Sequence, residues 1–203
     1  MAVTRRTFLK RTLAGGVAAA GAGGVALALR PGAPGPPPRT PLRFFTPAEY
    51  GLFAIVARRV VPPVAGAPSA DELDVAGKAD GLLARAAPHV QGDLRRLLGL
   101  FDDALAAFLL DGRTSPFSRL SAAGQDEALR QWRDSRLSLR RSGFQGLQRL
   151  AAALYYSDPR SWPAAGYPGP PVLVRADGSL VGGTAAQRAA ARPPASAAPE
   201  KQP

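Results

Sequence analysis

The chain has 203 residues, of which 46% are hydrophobic and 20% charged, enough for one domain with one core. Its formal net charge of +11 is typical of a nucleic-acid binder, but residues 42–171 hold 16 Lys and Arg against 13 Asp and Glu, a net of +3. The excess lies at the two ends, and Arg136, Arg140 and Arg141 form only a small basic face. We therefore expect no nucleic-acid partner.

Cysteine is absent and histidine occurs once, as His89. This composition excludes disulfides, thiolate nucleophiles, Cys-ligated iron–sulfur clusters, haem attachment through Cys-x-x-Cys-His and a His-rich metal site. Two pairs of adjacent carboxylates, Asp102 with Asp103 and Asp126 with Glu127, point about 100° apart on a helix and are interpreted as a solvated face. We expect no catalytic, cofactor-binding or metal-binding residue in this chain.

The N-terminus begins with a basic head that contains Arg5, Arg6, Phe8 and Leu9, followed by an uncharged run over residues 13–29. A positive head before a weakly apolar run is the layout of an export signal, and the arginine pair predicts the twin-arginine kind. A basic arm is the alternative, but such an arm has no use for the uncharged run. Because this route generally carries folded proteins, we expect the domain to fold first and to reach the periplasm.

The uncharged run has two interpretations. Ala26-Leu27-Ala28 is the small-x-small pattern that signal peptidase reads, which predicts cleavage after Ala28. Retention as a membrane anchor is the alternative, although the run contains five glycines and falls short of the roughly 20 residues needed to span. We favour cleavage, with residues 1–29 as the signal peptide. Residues 30–41 contain six prolines and are predicted to form a stiff linker.

Residues 42–171 are predicted to form a compact all-α bundle of about five helices. The first begins with Thr46, Pro47 and Glu49, which together make a capping box with proline in the first turn. It ends before Pro62, and Asp74 can cap a short second helix.

The third predicted helix has the strongest amphipathic pattern, with apolar residues at steps of three and four over residues 94–109, and we expect it to be the central helix. Ser121 caps a fourth helix, and a fifth runs through Phe144 and Leu154 until Asp158 and Pro159. Residues 172–203 are predicted to form a flexible tail, because a hairpin around Asp177-Gly178 would be isolated and the last residues are rich in Ala, Pro and Gln.

An unusual segment follows the last helix, in which aromatic residues alternate with prolines and glycines. We call it the aromatic–proline segment, and its predicted docking residues are Tyr155, Tyr156, Asp158, Pro159, Trp162, Gly166, Tyr167, Pro168, Gly169 and Pro170. Prolines fix the backbone, while Tyr and Trp supply rigid contact area with a polar handle, which is typical of a docking surface. The alternative is a loop folded back over its own core. Both hold together if one face points inward and the other toward a partner.

Several short motifs occur in a characteristic order along the chain. They are Arg5-Arg6-Thr7-Phe8-Leu9, Phe45-Thr46-Pro47-Ala48-Glu49-Tyr50, Val60-Val61-Pro62, Asp74-Val75-Ala76, Leu82-Leu83, residues 150–155, Ser157-Asp158-Pro159, Trp162 and Gly166-Tyr167-Pro168-Gly169-Pro170. With these motifs the chain resembles the gluconate 2-dehydrogenase subunit 3 family, the small subunit of periplasmic flavin-dependent sugar and sugar-acid dehydrogenases. The resemblance covers residues 42–171. It departs from the family after Pro63, where residues 64–70 lack the acidic residues common there.

The resemblance implies a helical, non-catalytic subunit of an oxidoreductase complex. Its partner would be a large flavoprotein of the glucose–methanol–choline type that carries FAD, often beside a cytochrome c subunit with haem c. The leader would take the leaderless flavoprotein through the twin-arginine translocase. Two alternatives stay open, namely a free-standing exported helical binding or structural module, and an enzyme that uses Asp or Glu for acid–base chemistry.

Overall fold

The computed structural model of the chain describes residues 30–61, 64–175 and 179–191, together with residues 23, 24 and 26. The predicted export residues Arg5, Arg6, Phe8 and Leu9 and the end of the tail, residues 192–203, lie outside the described residues. Within the described residues the fold is mostly helical, with seven α-helices and one two-stranded sheet, which confirms the predicted all-α class. The chain divides into two units, residues 1–63 with 68–155, and residues 64–67 with 156–203.

The first unit contains the helical bundle. Its elements are α1 (Pro47–Val60), α2 (Val75–Leu83), α3 (Pro88–Asp102), α4 (Ala104–Asp111), a 3-10 turn (Phe117–Arg119), α5 (Ala122–Arg133) and α6 (Ser138–Tyr156), which ends where the second unit begins. The second unit contains 3-10 turns at Pro159–Ser161 and Pro163–Ala165, strands β1 (Val172–Val174) and β2 (Leu180–Gly182), and α7 (Ala185–Ala191).

The central helix of the bundle is α1, not the predicted helix over residues 94–109. Every residue from 50 to 57 is buried, and α1 packs against α2, α3 and α5. Its start is as predicted, because Thr46 Oγ1 accepts from the N–H of Glu49 at 3.2 Å and the Glu49 carboxylate accepts from the N–H of Thr46 at 2.8 Å. By contrast, α3 buries only Leu98 and Phe101, so its strong amphipathic pattern marks a helix at the surface of the bundle.

The predicted third helix is two helices. Asp103 leaves the helical conformation, with ψ at 122°, and its carboxylate accepts from the N–H of Ala106 at 2.7 Å. It therefore caps α4 just where α3 ends, which breaks the helix although the apolar spacing continues across the break. This break and α7 account for the difference between about five predicted helices and the seven described.

Aromatic side chains hold the bundle together. Phe45, just before the cap of α1, stacks on Phe53 with ring centroids 5.7 Å apart. Phe101 of α3 meets Phe117 at 4.5 Å and Trp132 of α5 at 4.6 Å, both in tilted or edge-on geometry. Such pairs add about 0.5–1.5 kcal/mol beyond their buried area, so the core has a fixed arrangement.

The proline-rich segment lies along the bundle instead of standing apart as a spacer. A Cβ added at Gly35 would overlap the Cα of Gly51 on α1, so the two backbones touch and both positions require glycine. Ala33 donates its N–H to Ser118 Oγ at 2.8 Å, and Arg119 Nε donates to the carbonyl of Pro31 at 2.7 Å. Residues 30–35 are thereby fastened to the first unit.

The region predicted as a flexible tail contains secondary structure over part of its length. Strands β1 and β2 pair antiparallel with Leu173 opposite Val181, and α7 starts at a box in which Thr184 and Gln187 bond each other's backbone N–H. The Gln187 side chain also donates to the carbonyl of Pro168 at 2.8 Å, which supports the hairpin region from within the second unit. The flexibility of the tail stays a prediction.

Candidate functional site

Tyr155 belongs to the core of the first unit. It is 4% exposed, and its hydroxyl donates to the carbonyl of Pro68 at 2.8 Å. Ala151, one turn earlier on α6, is also fully buried, so Tyr155 continues the inward face of that helix. Of the predicted docking residues, this one offers no surface to a partner and instead anchors α6.

The aromatic–proline segment begins at a tight turn organised by Asp158. The Asp158 carboxylate accepts from the N–H of Arg160 at 3.1 Å and pairs with the Arg160 guanidinium at 2.9 Å. Ser161 is buried and donates its hydroxyl to the carbonyl of Asp158 at 2.8 Å. Pro159 occupies the first position of the 3-10 turn, where its fixed φ suits the turn.

Trp162 and Tyr167 form one aromatic pair. Their ring centroids are 5.3 Å apart at 74°, the edge-to-face arrangement that aromatic rings prefer. The indole N–H of Trp162 donates to the carbonyl of Tyr156 at 2.8 Å, and the N–H of Tyr167 donates to the carbonyl of Trp162 at 3.0 Å. The rotamer freedom of both rings is therefore restricted before any partner binds.

Two glycines shape the chain around this pair. Gly166 has φ of 67° and ends the second 3-10 turn in the left-handed region, which brings Tyr167 back to Trp162. Gly169 has φ of 104° and is buried, and a Cβ there would lie 3.1 Å from the Trp162 ring. A side chain at position 169 would therefore strain the backbone and displace the indole.

Most of the remaining segment is accessible to solvent. Tyr156 is 50% exposed and Tyr167 46% exposed, while Trp162 is partly buried. Pro159, Gly166 and Pro168 are exposed, Asp158 and Pro170 are intermediate, and Gly169 is buried. The structure thus brings the rings of Trp162 and Tyr167 together as a preformed aromatic pair, and the indole N–H links this pair to the backbone of the exposed Tyr156. We call these three residues the Trp162 surface.

Asp80 is a buried acid for which the sequence showed no local pattern. It is 4% exposed on α2, and its carboxylate accepts three backbone N–H groups from the chain that leads into α1, those of Arg43 at 2.8 Å, Phe44 at 2.9 Å and Phe45 at 2.7 Å. Burial alone would raise its pKa, but the three N–H donors outweigh burial and hold the pKa of Asp80 below its ordinary value. Asp80 therefore links α2 to the residues just before α1.

Asp102 and Asp103 do not form the predicted solvated face. Asp102 accepts from the N–H of Ser118 at 2.7 Å and from its hydroxyl at 2.9 Å, and Asp103 caps α4. Burial raises the pKa of Asp102, although the bonds from Ser118 act in the opposite direction. The interpretation as a solvated pair was wrong because both carboxylates satisfy backbone groups at a break between helices.

Arg140 is likewise not part of a basic face, since it is 6% exposed. Its guanidinium makes a two-bond pair with Asp111 at 2.9 and 3.0 Å and lies over the ring of Trp132, 5.3 Å from its centroid. Arg113 also binds Asp111, at 2.9 Å. This Asp111 cluster has two guanidinium groups for one carboxylate, and within the described part of the chain Arg113 Nε and Nη1 and Arg140 Nε have no hydrogen-bond partner.

The residues described here contain no group of three or more His, Cys, Asp or Glu arranged to hold a metal ion. Among the same residues no helix has the length and apolar character needed to cross a membrane. His89 lies exposed in the first turn of α3.

The fold defines a mostly helical protein with an exposed aromatic surface and buried acid–arginine contacts. Comparison of the chain with models of protein families, with curated proteins and with solved structures found no match. The resemblance to the gluconate 2-dehydrogenase subunit 3 family therefore stays a prediction from the motifs.

Proposed function

We propose that the chain is a non-catalytic small subunit of a periplasmic flavin-dependent dehydrogenase complex of the glucose–methanol–choline type. In this role it escorts the FAD-containing catalytic subunit through twin-arginine export and stabilises it afterwards. The proposal rests on one observation above all, the preformed and half-exposed Trp162 surface in the segment that follows α6 along the chain. The paired arginines and the motif order described above supply the class of partner.

The Trp162 surface has the properties of an interface centre. Aromatic side chains each bury about 150–250 Å² when covered and are enriched among residues that dominate binding energy. Because the rings of Trp162 and Tyr167 already pack against each other, these two side chains have little rotamer entropy left to lose on binding. A standard interface buries about 1,600 Å² in total, so neighbouring surface would complete the contact.

Trp162→Ala and Tyr167→Ala are each expected to weaken assembly with the flavoprotein by about 2 kcal/mol, roughly 30-fold in Kd. Either change removes an aromatic anchor and also releases its partner ring. The measurement is a binding titration of the full chain with the FAD protein recovered from its host by co-purification. Thermal melting of the helical signal should change little, since neither residue belongs to the core of the first unit.

Leu82→Ala provides the matched control, because Leu82 is a similarly exposed apolar residue on α2 and lies outside the segment. It should bind like the unaltered chain. Equal affinity of all three variants would contradict the placement of the interface, and failure to recover any flavoprotein with the unaltered chain would favour a free-standing exported module.

Arg5→Lys with Arg6→Lys is expected to leave both this chain and its flavoprotein in the cytoplasm, since the twin-arginine route reads the arginine pair itself. The yields in periplasmic and cytoplasmic fractions measure the effect, with FAD content as a second readout. Arg11→Lys is the control, because it makes the same chemical change in the basic head and keeps the pair. Normal export of the flavoprotein with the paired lysines would contradict the escort role.

A further inference from the structure

A groove lined mainly by apolar side chains lies between the end of α2, the helix α3 and the helix α6 of the first unit. It has a volume of about 550 Å³. Small-molecule sites in proteins usually have about 300–1,000 Å³ and are lined mostly by apolar groups, so this groove has the size of a ligand site. We call it the α3 groove. Its large apolar side chains are Leu82, Leu83, Val90, Leu94, Leu97 and Leu150.

The walls of the α3 groove are held in fixed positions. Gln91 of α3 donates from Nε2 to the carbonyls of Leu83 at 2.8 Å and Ala86 at 3.3 Å, which ties α3 to the end of α2. On the other side, a Cβ added at Gly143 of α6 would overlap the side chain of Leu97, so α3 and α6 are in close contact there. The shape of the groove is therefore set by the fold itself.

Gly146 gives the groove room at the surface of α6. It is exposed and lines the groove, and a Cβ added to it would meet no atom within 4 Å. Glycine in a helix interior is less stable than alanine, and here no neighbouring atom requires it. Glycine often occurs where a ligand comes close to the backbone. The space beside Gly146 thus suits an occupant that lies directly on α6.

The charges of the α3 groove favour a negatively charged occupant. Arg85 lines the groove and is exposed, and within the described part of the chain its guanidinium has no ion-pair or hydrogen-bond partner. The other charged residue of the lining, Asp93, already pairs with Arg96 at 3.2 Å. Arg85 also lies just before α3, whose first turn carries partial positive charge. One positive charge therefore remains uncompensated at the Arg85 end.

The dimensions of the apolar strip fit a single chain better than a protein surface. Residues 90–97 of α3 rise only about 10 Å along the helix. A stable protein interface buries about 800 Å² on each partner, and here charged residues stand directly beside the apolar ones. Asp93 precedes Leu94 on α3, and the exposed Arg149 precedes Leu150 on α6. An unbranched alkyl chain matches a strip of this length and width.

We propose that the α3 groove binds a medium-chain carboxylic acid. Its alkyl chain lies along Leu94 and Leu97 over Gly146, and its carboxylate pairs with Arg85. A second copy of the chain is a poorer occupant, because a twofold contact through this groove would bring two uncompensated Arg85 side chains together. The site does not depend on the identity of any partner subunit.

Titration of the full chain with decanoate tests the site, with the heat of binding as the readout. We expect saturable binding with a Kd on the order of 100 μM, the strength typical of a single buried acyl chain. Decylammonium has the same alkyl chain and the opposite charge, so it should bind about tenfold more weakly. Equal affinity for the two ligands, or no saturable binding of decanoate, would overturn the proposal.

Gly146→Leu is expected to weaken decanoate binding at least tenfold, because the new side chain fills the groove. The variant should fold normally, since a Cβ at this position meets no atom within 4 Å and leucine is the better helix former. Its Tm should be unchanged or higher. Gly99→Leu is the matched control, because Gly99 is also an exposed helical glycine with no atom near its Cβ position. It lies two positions beyond Leu97 and so on nearly the opposite side of α3.

Gly99→Leu should bind decanoate like the unaltered chain. Unchanged binding by Gly146→Leu would mean that the acid binds elsewhere on the protein, which would overturn the proposal.

Arg85→Glu is expected to reverse the preference, so that decylammonium binds more tightly than decanoate. The alkyl chain keeps its contacts while the charge at the end of the groove changes sign. Arg136→Glu is the control, since Arg136 is exposed and lies outside the groove lining. It should keep the preference for decanoate. The same preference in Arg85→Glu as in the unaltered chain would show that Arg85 does not receive the carboxylate.

Gly146→Leu also distinguishes a small ligand from a protein in the groove. Assembly with the flavoprotein and the sedimentation behaviour of the isolated chain should both be unaffected by this change. Weaker assembly would place a helix of the partner in the groove, and loss of self-association would place a second copy there. Either result overturns the proposal. Decanoate binding is measured on the isolated chain, so its outcome is separate from that of the proposed subunit role.

Discussion

Asp80→Ala is expected to lower the free energy of unfolding of the helical unit by about 3–5 kcal/mol and its Tm by roughly 10–20 °C. Three backbone N–H groups, those of Arg43, Phe44 and Phe45, lose their acceptor together. Phe44 and Phe45 are themselves buried, so water cannot replace the carboxylate without opening the core. A typical domain has only about 5–15 kcal/mol of stability, so this one change removes a large share.

The loss of stability on Asp80→Ala is expected to extend beyond α2, because the three N–H groups belong to the residues that precede α1. They lead directly into the cap of α1, the helix at the centre of the bundle. Arg95 of α3 adds a second support at the same point, donating to the carbonyl of Phe44 at 2.8 Å and lying 4.6 Å from the centre of its ring. Loss of Asp80 therefore loosens the junction at which α1, α2 and α3 meet.

The charge of Asp80 can be separated from its shape by Asp80→Asn and by pH. Because its folded pKa is lowered, the carboxylate contributes stability above the unfolded pKa of about 4, and this contribution is lost as pH falls through the folded pKa. The stability difference between the unaltered chain and Asp80→Asn should thus be full at neutral pH and shrink below about pH 4. Denaturant unfolding at several pH values measures it.

Asp93→Asn serves as the control, since Asp93 is exposed and bonds only the exposed Arg96 among its described neighbours. It should change stability little at any pH. A loss for Asp80→Ala no larger than for Asp93→Asn would show that the three N–H groups find other acceptors.

The local signals in the sequence were reliable where they depended on neighbours along the chain. The caps at Thr46, Asp74 and Ser121 are present as predicted, because each side chain satisfies an N–H only three residues away. The choice of central helix failed for a physical reason. A one-sided apolar pattern marks a helix with one solvent-exposed face, whereas residues 50–57 of α1 are buried on every side and so show little contrast between faces.

Contacts between distant residues left no comparable signal. Asp80 meets partners 35 to 37 positions earlier, and Arg140 meets Asp111 29 positions earlier. No local spacing predicts either contact. Tyr155, in contrast, could have been assigned to the core, because it continues the inward face of α6 through Leu147 and Ala151 at steps of four. The rest of the aromatic–proline segment was identified because its composition alone is unusual.

Arg140→Met is expected to be as damaging as the change at Asp80, with a loss of about 3–5 kcal/mol. The methionine keeps much of the volume but removes both bonds to Asp111 and the cation above Trp132. Asp111 would then be a buried carboxylate that retains a single bond from Arg113. Removal of one partner of a buried ion pair is costly mainly because the other charge remains uncompensated.

The two arginines of the Asp111 cluster should differ sharply when each is changed. Arg113→Ala leaves the two-bond pair of Arg140 and Asp111 intact and removes the two buried N–H groups that have no partner in the described structure. It should therefore alter stability by less than about 1 kcal/mol in either direction. The loss of stability for Arg140→Lys should lie between those for Arg113→Ala and Arg140→Met. Lysine keeps the positive charge but lacks the planar guanidinium that bonds both carboxylate oxygens. Denaturant unfolding of the three variants ranks them, and equal losses for Arg113→Ala and Arg140→Met would show that the two guanidinium groups share the carboxylate equally.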